Sequence, residues 1–147
     1  MTVILQSGIF DPGKKINEFQ KQSINSGAIV SFSGIVKNNE VKSLKKLHIE
    51  HYPSMTKIAI EDMINIATKR WKLSNCLVIH RYGDIKVDEI IMMIITASSH
   101  RIDAFQAAEY LMDYLKSRAP FWKKEFTNTG NHWVLNKATD EAALTRW

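Results

Sequence analysis

Two lysines, Lys116 and Lys123, are spaced so that they could act together on an anionic substrate. Lys116 follows Ala108 and Met112 at four-residue steps, which places it at the rim of a predicted helix's apolar stripe. Lys123 comes after a break at Pro120, and a turn there brings the two ammonium groups together. Ammonium groups that are close and partly desolvated have depressed pKa values, which suits proton transfer near neutral pH. The spacing also fits two ordinary solvated lysines.

His100 and Arg101 stand where a long helix is predicted to begin. The backbone N–H groups of a first helical turn are unpaired, and the helix dipole favours an anion there. Two cations at this end oppose the dipole, and a bound phosphate resolves the conflict because it faces both the cations and the N–H groups. The alternative left open by these residues is a solvated histidine and arginine at a helix start.

The other histidines and the single cysteine form no catalytic or metal-binding motif. His48 and His51 lie on opposite faces of a predicted strand, and neither His80 nor His132 has a partner at HxxxH or HExxH spacing. Cys76 lies in the apolar segment NCLVIH and is interpreted as a small buried hydrophobe. The motifs GxGxxG, GxxxxGKS/T and GxSxG are absent. No metal or cofactor is therefore predicted.

The charge balance favours an anionic partner. Lys and Arg number 20 against 15 Asp and Glu, a formal charge of +5, and this excess suits a phosphorylated small molecule, an acidic protein or nucleic acid. Trp122, Phe126 and Trp133 lie among basic residues and could form a base-stacking surface, so a nucleic-acid-binding module is an alternative hypothesis. The simpler interpretation of these aromatic residues is a hairpin packed on the core.

The sequence also indicates where the protein works. No apolar run is long enough to span a bilayer, and the N-terminal MTVILQSGIFDPGKK has no basic region before a long apolar stretch. Together with the single cysteine, these features predict a cytoplasmic protein.

Alternating helices and strands must position the candidate residues. Apolar periodicity predicts helices over residues 14–26, 55–71 and 100–118, and a short one after residue 139. Strands are predicted over residues 3–10, 28–36, 44–52, 76–80, 89–97, 121–127 and 132–135. The strand over residues 89–97 is apolar on both faces and should be central. The pattern predicts one α/β domain of the α+β type over residues 1–147, a mixed sheet with helices mainly on one face.

Details of the helix over residues 100–118 can also be predicted. Ser98 or Ser99 suits the N-cap, and Asp103 suits the first turn. The predicted buried stripe consists of Phe105, Ala108, Met112 and Leu115.

Several stretches resemble the large, catalytic subunit of molybdopterin synthases. The most specific is SSHRIDAFQAAEYLMDYLKSRAPFWKKE (98–125), which holds all four cationic candidates at a spacing not known from another family. The others are GAIVSFSGIVKNN (27–39), LHIEHYPSMT (47–56), TKRW (68–71), VIHRYGDIKVDE (78–89) and NHWVLN (131–136). The similarity covers nearly the whole chain beyond its first two dozen residues.

The resemblance implies a fold, a reaction and partners. The family has an α/β hammerhead fold and forms a homodimer with a small ubiquitin-like subunit at each end, a heterotetramer. The small subunit carries a C-terminal Gly-Gly thiocarboxylate that enters the large subunit's pocket. Its sulfur is transferred to cyclic pyranopterin monophosphate, and the product is the dithiolene of molybdopterin. The resemblance thus implies a sulfurtransferase of molybdenum cofactor biosynthesis.

The resemblance also implies roles for particular residues. Lys123 matches an active-site lysine as proton shuttle or covalent anchor for the partner's tail, and Lys116 matches one that stabilises developing charge. The positions that match substrate-binding residues are Ile35, Val36, Lys37, His100, Arg101, Lys124, Glu125 and Lys137.

Two positions depart from the family pattern. Lys37 stands where an arginine usually follows GxV, and Lys137 stands where an arginine from the neighbouring subunit often completes the site. Lysine keeps the charge but lacks the planar fork that binds phosphate through two hydrogen bonds. These departures leave a non-catalytic homologue as a further alternative.

Overall fold

The apolar strand Ile90–Ser98 (β6) is buried along almost its whole length, as expected for a strand with apolar residues on both faces. In the computed structural model, which describes all 147 residues, it lies between strands Asn75–Arg81 (β4) and Ala28–Ile35 (β2). Strand Thr2–Gln6 (β1) completes this four-stranded sheet, sheet A, beside β4. β1 and β4 are parallel and the other pairs are antiparallel, so the sheet is mixed.

A second sheet, sheet B, carries the candidate lysine that follows Pro120. Its antiparallel strands lie in the order Gly83–Lys86 (β5), Leu44–His51 (β3), Phe121–Thr127 (β7) and Gly130–Trp133 (β8). The register places Ile49 opposite Lys123. Because side chains alternate along a strand, Lys123 points to the same face as buried Ile49.

Helices cover both faces of sheet A, with the two longest on the same face. Pro53–Trp71 (α2) and Arg101–Ser117 (α3) share the main core with alternate residues of β4 and β6. Pro12–Gln22 (α1) covers the other face through Phe19, whose burial contributes about 2–3 kcal/mol. Ala138–Ala143 (α4) and a 3-10 turn, Leu144–Arg146, end the chain. None of these helices combines the length and apolarity needed to cross a bilayer.

The predicted α+β class is confirmed, and helices lie mainly on one face as expected. The strands, however, divide between two sheets, because strand pairing is set by long-range contacts that periodicity does not encode. The short strand β5 was not predicted; it begins at Gly83, which has a φ of +79°.

One detail predicted for α3 is wrong and another is right only in part. Its N-cap is His100, without a side-chain hydrogen bond, because Ser98 is still part of β6. Of the predicted stripe, Ala108 and Leu115 are buried, but Phe105 is 62% exposed, and Ala104 and Leu111 are buried instead. The stripe is offset from Phe105 by one residue, which is about 100° around a helix.

The loop that precedes α3 packs tightly against Gly27, and this gives a test of the fold. A Cβ at Gly27 would overlap the backbone carbonyl oxygen of Ser99, which cannot move independently of α3. We expect Gly27→Ala to lower the free energy of unfolding by about 1–3 kcal/mol, measured by urea denaturation. Gly8→Ala is the matched control, since no atom lies within 4 Å of its added Cβ. Equal stability of the two variants would contradict this packing.

Candidate active site

A cavity of about 540 Å³ lies where the C-terminal end of α3 meets both sheets. Its walls come from the ends of β2 and β4, from β3, β6 and β7, and from the segment before α4. Seven of the residues singled out in the sequence line it: Ile35, Val36, Lys37, Lys116, Lys123, Glu125 and Lys137.

Lys116 and Lys123 line the same cavity from different elements. Lys116 is in the last turn of α3, and the chain reverses at Pro120 so that β7 returns Lys123 towards it. Lys123 is half-buried, and desolvation, followed by the nearby positive charge of Lys116, lowers its pKa to about 8. Its amine can therefore both give and take a proton near neutral pH.

Carboxylates and a third lysine surround this pair. Asp140 lines the cavity, and its negative charge partly opposes the fall in the pKa of Lys123. Glu125 lies on the same face of β7 and has His132 3.2 Å from its carboxylate. Lys137 of this same chain also lines the cavity.

An irregularity in β2 shapes the opposite wall. The β2–β6 register shifts between Gly34 and Ile35, which is the irregularity of a β-bulge. Val36 is then held from both sides, since its N–H donates to Glu89 O at 3.0 Å and its carbonyl accepts from Asp88 N–H at 2.8 Å. These bonds fix the backbone from which Ile35 and Lys37 face the cavity.

The C-terminal segment closes the remaining side. Val134 N–H donates to Lys123 O at 2.7 Å, which ties the segment to β7. Arg118 at the end of α3 bonds both carboxylate oxygens of Glu141, at 2.9 and 3.0 Å. The Trp147 indole N–H donates to Asp113 at 2.6 Å. These contacts hold Lys137 and Asp140 beside the lysine pair.

Three residues expected at the substrate site do not line this cavity. Lys124 faces the other side of β7, where its Nζ lies 5.1 Å from the centroid of the Trp133 ring. His100 and Arg101 are exposed at the N-terminus of α3, about 22 Å along the helix from Lys116. Lys124 lies outside the cavity because side chains alternate along β7. His100 and Arg101 lie outside it because they are at the far end of α3.

The cavity also contains residues that the sequence did not single out as site residues. His80 is 4% exposed at the end of β4, and its ring stacks on Phe121 with centroids 3.8 Å apart. Asp140 is added by the return of the C-terminal segment. Alternation along β4 places His80 on the same face as Cys76 and Val78, but only the packing of sheet B over that face identifies a pocket there.

The only thiol of the chain is not part of the site. Cys76 is fully buried in the main core, and burial raises its pKa to about 12. A thiol in this environment is a poor nucleophile. No group of three or more His, Cys, Asp and Glu side chains is arranged to hold a metal ion.

Two sheets, four helices and a cavity lined by lysines define an α+β protein with a candidate site for a small anionic molecule. The chain belongs to the MoaE protein family, whose sequence profile matches residues 5–118. It is 50% identical to the molybdopterin synthase catalytic subunit of Cereibacter sphaeroides over 147 residues, which is 100% of both proteins.

Solved structures show the same fold. A molybdopterin biosynthesis MoaE protein from Burkholderia ambifaria has a TM-score of 0.85 and 38% identity, with 99% of this chain and 97% of that chain covered. A protein-protein complex of subunits 1 and 2 of the molybdopterin-converting factor from Helicobacter pylori contains a chain with a TM-score of 0.79. Its identity is 20%, with 92% of this chain and 91% of that chain covered, so this likeness concerns the fold alone.

The depressed pKa of Lys123 predicts a pH-dependent stability. A buried ammonium group costs free energy below the folded-state pKa of about 8, and this cost disappears as the pH rises towards the ordinary value of 10.5. We expect Lys123→Met to be more stable than wild type at pH 7 and to lose that advantage between pH 8 and 10.5. Urea midpoints measure the difference, with Lys124→Met as the control on the opposite strand face. A gap that is constant with pH would contradict the assignment.

Proposed function

We propose that this chain is the catalytic subunit of a molybdopterin synthase and acts in the cytoplasm as a sulfurtransferase of molybdenum cofactor biosynthesis. The observation that carries the proposal is the convergence of Lys116 and Lys123 in one cavity of a chain of the MoaE protein family. The substrate is cyclic pyranopterin monophosphate, and the product carries the dithiolene of molybdopterin. Four lysines against two carboxylates line the cavity, and this excess of positive charge suits a phosphorylated heterocycle better than a cationic ligand.

The sulfur comes from outside the chain, because Cys76 is buried and its pKa is raised to about 12. We propose that a small ubiquitin-like partner supplies it as a C-terminal Gly-Gly thiocarboxylate. A structural relative from Helicobacter pylori was solved as a complex of two subunits of its molybdopterin-converting factor, which supports a partner of this kind. The partner's tail enters the cavity, which is open to solvent beside exposed Lys37 and Lys137.

The lysines of the cavity have different roles in the proposed reaction. The thiocarboxylate sulfur forms a bond to a substrate carbon as that carbon's bond to oxygen breaks, and the oxygen leaves as water or with the opened cyclic phosphate. Water or the Lys123 amine then takes the tail's acyl group, which breaks the bond between its carbonyl carbon and sulfur and leaves the sulfur on the substrate. Lys123, with its pKa near 8, moves the protons that these steps require. The Lys116 ammonium group stabilises the negative charge that develops, and Lys37 and Lys137 balance the phosphate.

His100 and Arg101 need a second copy of the chain to reach a cavity, since α3 separates them from the cavity of their own chain. We propose a homodimer in which they face the partner copy's substrate. Exposed Ile102 and Phe105, at 63% and 62%, lie beside them and supply apolar area for such a contact. With a small partner on each copy, the assembly is a heterotetramer.

Replacement of Lys123 tests the catalytic assignment. Lys123→Ala is expected to lower product formation by at least about 100-fold, because the variant loses the group that transfers protons. Product is measured with purified chain, thiocarboxylated partner and cyclic pyranopterin monophosphate. Lys124→Ala, which removes a lysine from the opposite face of the same strand, is expected to stay within a few-fold of wild type. Normal turnover by Lys123→Ala would refute the assignment and favour a different catalytic group.

Mixing two inactive variants tests the shared site. Arg101→Ala and Lys123→Ala should each have low activity as pure proteins. After random exchange of subunits at equal amounts, half of the dimers are hybrids with one complete site, so about a quarter of wild-type activity should return. Absence of recovery, when hybrids are shown to form, would place both residues in the site of a single copy or outside it.

A further inference from the structure

His80 is a buried polar residue of the cavity that the mechanism above does not use. It lines the cavity together with Lys116 and Lys123 and is only 4% exposed. It lies at the end of β4, and Phe121 of β7 covers one face of its ring. A histidine at this depth either serves packing alone or presents a polar atom to a bound ligand, and its hydrogen bonds distinguish the two.

The protonation state of His80 follows from its surroundings. Nδ1 lies 2.8 Å from the carbonyl oxygen of Arg81, and because a carbonyl only accepts, Nδ1 carries the proton. Burial and the neighbouring charges of Lys123 and Lys116 lower the pKa of the ring to about 3, so it is neutral at physiological pH. Nε2 is consequently an unprotonated acceptor, and it makes no hydrogen bond within the chain.

The ring is also held in one orientation. Its plane lies at 18° to that of Phe121, with centroids 3.8 Å apart. The backbone that accepts from Nδ1 belongs to Arg81, a buried residue whose guanidinium bonds Glu89 at 2.9 Å and Ser7 O at 3.1 and 3.2 Å. The position of Nε2 is therefore set before any ligand binds, which lowers the entropic cost of using it.

We propose that His80 is a substrate-binding residue whose Nε2 accepts a hydrogen bond from an N–H or O–H group of the heterocycle. The inference rests on the proposed function and assigns a part of the substrate to this end of the cavity. Phosphate oxygens are acceptors and are matched by the ammonium groups of Lys37 and Lys137, whereas a fixed lone pair repels them. The ring N–H, amino and hydroxyl groups of a reduced pterin are donors and pair with Nε2. Such a contact also gives Nε2 a hydrogen-bond partner, which it lacks within the chain.

Two variants separate this role from packing. His80→Phe keeps a planar ring against Phe121 but removes the acceptor, and His80→Gln places an amide oxygen near the position of Nε2. We expect His80→Phe to raise the KM for cyclic pyranopterin monophosphate at least about tenfold with a smaller change in kcat. His80→Gln should recover most of the loss, and binding of the small partner should be unchanged in both. Wild-type KM in a folded His80→Phe variant would overturn the inference.

A measurement on the wild-type chain keeps the test independent of how the variants fold. The ¹⁵N resonance of His80 Nε2 should begin at the position of an unprotonated nitrogen and shift when cyclic pyranopterin monophosphate binds. Inorganic phosphate, which the lysines alone can hold, should leave it unchanged. The inference would be overturned by a ¹⁵N chemical shift that does not change when the pterin binds, changes equally with phosphate, or changes only with the partner's tail.

The failure of the inference differs from the failure of the proposed function. If the wild-type chain forms product and the His80 tests give the overturning results, only the assignment of His80 is wrong. If the wild-type chain with thiocarboxylated partner neither binds the pterin nor forms product, the proposed function fails and the assignment fails with it.

Discussion

The cavity depends on one electrostatic constraint, which is the placement of the half-buried Lys123 ammonium group beside the charge of Lys116. Desolvation and like charge both disfavour the protonated amine, and the fold must offset that cost without removing the group from its ligand. It does so with the carboxylate of Asp140, which comes from α4 near the C-terminus. The same unfavourable placement makes the site attractive to negative charge, because an anionic group between Lys116 and Lys123 relieves their repulsion.

The rest of the structure holds this arrangement in place. The main core fixes α3 against sheet A, and the reversal at Pro120 then determines where β7 begins. The β3–β7 register selects which residues of β7 enter the cavity, so Lys123 enters and Lys124 does not. The Arg118–Glu141 ion pair and the hydrogen bond from the Trp147 indole to Asp113 hold the C-terminal segment against the end of α3. The lysine pair, the walls of the cavity and the carboxylate of Asp140 thus come from three separate parts of the sequence.

The chain itself supplies the acid–base groups of the site, whereas the sulfur comes from another molecule. The chain offers amines, carboxylates and one neutral imidazole at the cavity, and its single thiol lies in the core. A sulfur transfer at this site consequently needs a donor from another molecule. The cationic end of α3 lies far from the cavity of its own chain, and this distance gives a second copy a part in the proposed site.

The sequence by itself determined the local features of the protein. The α+β class and the central position of β6 both follow from periodicity within a few residues. The convergence of Lys116 and Lys123 could be predicted because only a short turn separates them. Most of the resembled pocket, from Ile35 to Lys137, could be named only because motifs along the whole chain match one family.

Only the tertiary structure decided the features that rest on contacts distant in sequence. The division of the strands into two sheets, the entry of His80 and Asp140 into the cavity and the absence of His100 and Arg101 from it are of this kind. Nothing near His80 in the sequence indicates that β7 will pack over it, since the two elements are some forty residues apart. Periodicity describes which face of an element is apolar, whereas the partner of that face is chosen by the packing of the whole chain.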